Sequence, residues 1–125
     1  MSRVVLLAIP EDLADELSRV LLEERHYVSR KQSCLDVRCG VEPDVAFIYG
    51  DGPEFVQTLS DLRTSEPNLP VIVATRLPEA GRWLDALDAG AADYCGAPFE
   101  RIQVRWILDT VFRAAGSDVP RRAAA

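Results

Sequence analysis

Residues that build metal centres and disulfide frameworks are scarce in this chain. It has three cysteines (Cys34, Cys39 and Cys95) and one histidine, His26. A structural zinc site needs about four cysteine, histidine or acidic ligands. An odd number of cysteines does not form the paired framework of a small secreted protein. We therefore predict reduced, packed thiols, no metal or other cofactor, and a cytoplasmic protein.

Long apolar runs and an excess of basic residues are also missing. The formal net charge is −6, which disfavours nucleic acid as a partner because that binding depends on neutralising phosphates. No apolar run approaches the ~20 residues of a membrane-spanning helix. The first run, Val4 to Ile9, is followed at once by acidic residues, unlike a signal peptide. The sequence thus predicts a soluble domain that binds neither nucleic acid nor membrane.

What the chain does contain is a regular alternation of strand-like and helix-like segments. Continuous apolar runs at 4–9, 45–49 and 71–75 are typical of strands buried on both faces, and shorter strands are predicted at 27–32 and 91–95. Each is followed by apolar residues at helical spacing. This rhythm predicts an α/β, flavodoxin-like (βα)5 fold: a parallel five-stranded sheet of order 2-1-3-4-5 with helices on both faces.

The sequence also predicts where a short helix, the last helix and the domain itself begin or end. A short helix is predicted over Leu35 to Cys39, and the last helix is expected to begin at Pro98. We expect the domain to span residues 1–115, with 116–125 as a flexible tail or the start of a linker.

Ligands in such folds bind outside the carboxyl ends of the strands. The loop after the first strand, Ile9-Pro10-Glu11-Asp12, has no Gly-rich phosphate-binding turn, so a nucleotide site is disfavoured. A flavodoxin-like domain that binds a small molecule stays as an alternative, although this loop offers it no phosphate site.

Two stretches, taken together and in order, identify a family resemblance. They are 69–75 (LPVIVAT) and 89–94 (AGAADY), the latter leading to Ala97-Pro98-Phe99; Pro43-Asp44-Val45 adds to them. With these motifs the sequence resembles the receiver domain of two-component response regulators, over roughly the whole chain up to Ala115.

The resemblance implies a set of site positions. Receivers accept a phosphoryl group on an aspartate at the end of the third strand, beside an acidic pair that holds Mg²⁺, a lysine, and a hydroxyl that bonds the phosphate. By resemblance, the acceptor position is Tyr49, the acidic pair is Ile9 and Pro10, the lysine is Ala97, and the retained switch positions are Thr75 and Tyr94. The Ala97–Pro98 bond is expected to be cis.

These replacements predict a degenerate pseudo-receiver that is not an enzyme and works without phosphorylation. A tyrosine phenol, with a pKa of about 10, does not replace a carboxylate as acceptor or Mg²⁺ ligand at neutral pH. Thr75 and Tyr94 are either an inherited switch pair or a strand-end hydroxyl and a half-buried aromatic residue.

Glu11 and Asp51 are weak candidates for a rebuilt cation site, and Asp51 is an alternative, displaced phosphoacceptor. Against this, Asp51 lies in a Gly-flanked turn, where aspartate is favoured for local backbone bonding. Glu11 suits the start of a helix.

The last helix carries a candidate interface. Ile102 and Trp106 lie four residues apart and partly off its core stripe, and aromatic residues are enriched at the centres of interfaces. We expect a protein partner, an attached effector domain or a second copy to bind the face built from the last two helices and the fifth strand. The alternative is that Trp106 lies flat along its helix against arginine side chains.

Overall fold

Strands and helices alternate along the part of the chain that the structure describes. This computed structural model describes residues 2–33, 37, 42–51, 54–76 and 80–124, with the side chains of 80–83 and 115–124 excepted. The elements are β1 (Arg3–Leu7), α1 (Glu11–Glu23), β2 (Tyr27–Lys31), β3 (Val45–Tyr49), α2 (Glu54–Ser65), β4 (Val71–Thr75), α3 (Ala80–Asp88), β5 (Asp93–Gly96) and α4 (Arg101–Ala124). The helix predicted over Leu35 to Cys39 lies outside the described residues, apart from Val37.

The sheet has the predicted topology. All five strands are parallel, in the order β2-β1-β3-β4-β5. In the register of β3 and β4, Tyr49 lies opposite Ala74. The flavodoxin-like fold predicted from the sequence is confirmed.

Two apolar cores cover the two faces of the sheet, because successive strand residues point to opposite sides. The first core joins alternate strand residues, such as Phe47, to α1 and α4. The second joins the residues between them, such as Ile48 and Val73, to α2 and α3. Full burial of each such side chain stabilises the fold by about 1.5–3 kcal/mol.

Element boundaries around β5 and α4 differ from the prediction. Strand β5 begins at Asp93 rather than at residue 91, because the amide of Ala91 still donates to the carbonyl of Ala86 in α3, at 3.0 Å. Helix α4 begins at Arg101 rather than at Pro98. The amide of Phe99 instead donates to a carboxylate oxygen of Glu16, at 2.8 Å, which holds this residue against α1.

The end of the chain and the turn before α4 complete the fold. The Ala97–Pro98 bond is cis, as predicted. Helix α4 continues to Ala124, beyond the boundary expected at residue 115, and the role of 116–125 as a tail or linker stays a prediction. Within the described residues, no helix is both long and apolar enough to cross a membrane.

Candidate functional site

The carboxyl ends of the strands meet along one side of the sheet. Beyond the strands, the amide of Gly50 donates to the carbonyl of Ala74 at 2.7 Å, and the amide of Ala97 donates to the carbonyl of Thr75 at 2.8 Å. These bonds bring the segments after β3, β4 and β5 side by side. We call this region the carboxyl edge; it comprises residues 8–12, 49–51, 75–76 and 97.

Asp51 lies at the centre of the carboxyl edge. One oxygen of its carboxylate accepts a hydrogen bond from the hydroxyl of Thr75, and the other accepts one from the backbone amide of Arg76, at 2.8 Å. Hydrogen bonds to an ionised carboxylate are roughly twice as strong as neutral ones. The sequence predicts local backbone bonding for Asp51, and the structure shows bonds that cross to the end of β4.

Arg76 links the same position to the start of α1. Its guanidinium lies 2.6 Å from a carboxylate oxygen of Asp12, while its backbone amide binds Asp51. Three strand-to-helix connections are therefore joined through one residue. Sequence reasoning assigned no role to Arg76, and the signal that could have found it was its position directly after the buried strand β4.

Apolar surroundings enclose the position that the resemblance assigns to the phosphoacceptor. Tyr49 is half-buried, and both it and Ala97 pack against the first core, which includes Ile9. Burial raises the pKa of the Tyr49 phenol, and the negative charge of Asp51 raises it further. The phenol is therefore a neutral group at physiological pH. Pro10 is the N-cap of α1 and supplies no side-chain hydrogen bond there.

Thr75 and Tyr94 lie on the neighbouring strands β4 and β5. Thr75 is fully buried, and its hydroxyl binds Asp51. Tyr94 packs against the second core, and its hydroxyl is buried without a hydrogen-bond partner among the described residues. Buried polar groups in proteins are nearly always hydrogen-bonded, so the unpaired hydroxyl of Tyr94 is an exception.

The two weak cation candidates are not part of an acidic cluster. Glu11 is exposed in the first turn of α1, and Asp51 binds the donors described above. Among the described residues, no group of three or more His, Cys, Asp or Glu side chains could hold a metal ion.

Cys95 lies in the first core, below the carboxyl edge. Burial raises the pKa of its thiol to about 12, with smaller contributions from the charges of Asp93 and Glu16. This residue therefore acts as a packed apolar side chain rather than a reactive thiolate. Cys34 and Cys39 lie outside the described residues.

The predicted interface pair is exposed on α4. Ile102 is 78% and Trp106 65% accessible to solvent. The neighbouring Arg101 and Arg105 both bind Glu24, just beyond the end of α1, and these bonds, from Arg105 above all, lower the pKa of Glu24 to about 2. The arginines are therefore held toward α1 while the apolar pair faces solvent.

Comparison with known proteins gives matches in sequence and in structure. No protein-family profile matches the sequence. Response regulator protein FleR of Pseudomonas aeruginosa is 41% identical over 64 residues, which make up 51% of this chain and 13% of FleR.

Solved structures match over nearly the whole chain. NtrX of Brucella abortus has a TM-score of 0.86 at 15% identity, over 99% of this chain and 29% of NtrX. A response regulator receiver domain protein (CheY-like) from Methanospirillum hungatei has a TM-score of 0.77 at 14% identity, over 94% of this chain and 98% of that structure. The structural matches establish the receiver fold, and together with FleR they support a response-regulator receiver domain.

Proposed function

We propose that this receiver domain acts in two-component signalling as a protein-interaction module, without aspartyl phosphorylation and without enzymatic activity. The observation that carries the proposal is the hydrogen bonding of the Asp51 carboxylate. This aspartate is the carboxylate nearest to the normal acceptor position in sequence, and its oxygens are bound by Thr75 and Arg76.

Phosphoryl transfer requires an available carboxylate, and it requires positively charged groups that offset the negative charge on the phosphoryl oxygens. Tyr49 replaces the acceptor with a neutral phenol. Ile9 and Pro10 supply no metal-binding oxygen from their side chains, and Ala97 supplies no cation. The replacements remove the acceptor carboxylate, the metal ligands and the cation together. Restoring one of these groups is therefore not expected to restore phosphoryl transfer.

The interaction surface that we propose is centred on Ile102 and Trp106. Exposed aromatic and aliphatic anchors of this kind dominate binding energy at interfaces. FleR and NtrX extend far beyond their matched regions, which make up 13% and 29% of them. An attached effector domain is therefore the partner we favour, with a second copy of the domain as the other option, and we place the protein in the cytoplasm as its cysteine content predicts.

A second candidate function is phosphorylation at Asp51 itself. The hydrogen bond from Thr75 favours it, because that hydroxyl is the group expected to bind a phosphoryl oxygen. Against it, both carboxylate oxygens accept hydrogen bonds, and the described residues offer no acidic cluster for Mg²⁺.

Phosphorylation is tested by incubating the domain with acetyl phosphate and Mg²⁺ and measuring its intact mass. We expect no adduct, and no change of tryptophan fluorescence on addition of beryllofluoride. A hydroxylamine-sensitive phosphoryl adduct that disappears in Asp51→Asn would replace this proposal with the second candidate.

The surface is tested separately by Trp106→Ala and Ile102→Ala. Val56→Ala is the matched control, because Val56 is an exposed apolar residue on α2 (46% accessible). We expect the two α4 variants, but not the control, to weaken self-association in sedimentation or to change the output of an attached effector domain. Equal effects of all three variants would contradict the proposed surface.

A further inference from the structure

A hydroxyl and a backbone amide both donate hydrogen bonds to one carboxylate at the carboxyl edge. The Thr75 hydroxyl and the Arg76 amide donate to different oxygens of Asp51. Thr75 is the last residue of β4 and Arg76 follows it directly. The positions of both donors are therefore fixed by the sheet rather than by the loop that carries Asp51.

These donors have the chemistry of an oxyanion site. Hydroxyl and backbone N–H groups aimed at one point bind carboxylate or phosphate oxygens. The guanidinium of Arg76 adds positive charge nearby, although it also binds Asp12. Arg76 therefore contributes through its main chain and through its charge.

We propose that the carboxyl edge is an oxyanion-binding site that the chain fills with its own Asp51, as a built-in ligand. This inference rests on the proposed function, since it identifies what occupies the site when no phosphoryl group is added. An intramolecular ligand acts at a high effective concentration, so free anions compete with it poorly. The end of β4 is then held in one arrangement at all times.

A site of this kind has a testable consequence, because removing the built-in ligand exposes its donors. The variant is Asp51→Ala, and the probe is inorganic phosphate, added at constant ionic strength with chloride as the balancing anion. The control is Asp44→Ala, because Asp44 also accepts a backbone hydrogen bond, from the amide of Arg3 at 2.9 Å, but lies at the opposite edge of the sheet.

The readout is the backbone amide resonance of Arg76 in ¹H–¹⁵N spectra. In Asp51→Ala we expect this amide to shift saturably with phosphate. In the wild type and in Asp44→Ala the apparent affinity for phosphate should be weaker by about tenfold or more. In both proteins the tethered Asp51 carboxylate, at an effective concentration in the millimolar range, competes with phosphate for the same donors. Adding Thr75→Val to Asp51→Ala should remove most of the response.

Two results would overturn the inference: a folded Asp51→Ala whose Arg76 amide ignores phosphate, or an equal response in Asp44→Ala. If Asp51→Ala does not fold, Asp51→Asn gives the second measurement: its uncharged amide should speed hydrogen exchange at Arg76, and unchanged exchange would contradict the inference. Failure here leaves the acetyl phosphate result untouched, so the two proposals fail separately.

Discussion

Gly50 lies at the carboxyl edge, where an added side chain would meet the buried core. A Cβ atom on Gly50 would lie 2.2 Å from Cγ1 of Val73, whereas carbon atoms in contact are separated by about 3.5–4 Å. Val73 is fully buried in the second core, so its side chain has little room to move. We expect Gly50→Ala to lower the free energy of unfolding by about 1–3 kcal/mol, the usual cost of overpacking a core.

A double-mutant cycle identifies the cause of that loss. Val73→Ala alone should cost about 1.5–3 kcal/mol through lost burial, but it also removes the methyl group that the new Cβ meets. The double variant should therefore be more stable than the sum of the two losses predicts. Urea unfolding followed by circular dichroism gives all the values. A Gly50→Ala variant as stable as the wild type, or strictly additive losses, would refute the packing argument.

Three further predictions concern single side chains. Tyr49→Asp should lower the thermal midpoint without creating Mg²⁺ affinity, because it places a charge against the first core beside Asp51; Mg²⁺ binding at unchanged stability would contradict the pseudo-receiver interpretation. The pKa of Glu24 is lowered to about 2 from an ordinary value of 4.5, so its stabilising effect is present above pH 4.5 and is lost as the pH falls toward 2. The stability of Glu24→Gln should therefore lack this loss between pH 4.5 and 2 when acid unfolding is measured. An acid-unfolding profile identical to that of the wild type would count against the pairing of Glu24 with the arginines. Cys95 should resist alkylation at pH 8 in the folded protein, as judged by peptide mass spectrometry, and should react once urea unfolds it.

The sheet could be predicted because its strands are encoded locally. All five residues of β4, Val71–Thr75, are buried, and an uninterrupted apolar run of that length is typical of a strand covered on both sides. The order 2-1-3-4-5 is the most economical one for five βα repeats, and right-handed crossovers leave few alternatives to it. The boundaries of β5 and α4 were less predictable, because hydrogen bonds of Ala91 and Phe99 to other elements decide them.

The role of Asp51 could not be predicted from its neighbours in sequence. A Gly-flanked aspartate favours local backbone bonds, and nothing nearby indicates another partner. The register supplies the missing information: Tyr49 lies opposite Ala74, so Asp51, two residues later, comes level with Arg76. Register depends on how two distant strands pair, which composition and periodicity do not determine.

Helix α1 contacts both the carboxyl edge and the proposed interaction surface on α4. The free energies that its different contacts contribute indicate which of them hold the helix in place. Asp12, in its first turn, binds Arg76 at the carboxyl edge, and Glu24, just past its end, binds the arginines beside Trp106. Ion pairs that solvent can reach contribute little to stability, whereas each buried leucine of the helix, such as Leu17, contributes about 1.5–3 kcal/mol. Burial therefore holds α1 on the sheet, and the ion pairs only adjust its ends. A partner that binds at Trp106 could exchange the Glu24 contacts for its own at small cost, without disturbing the core.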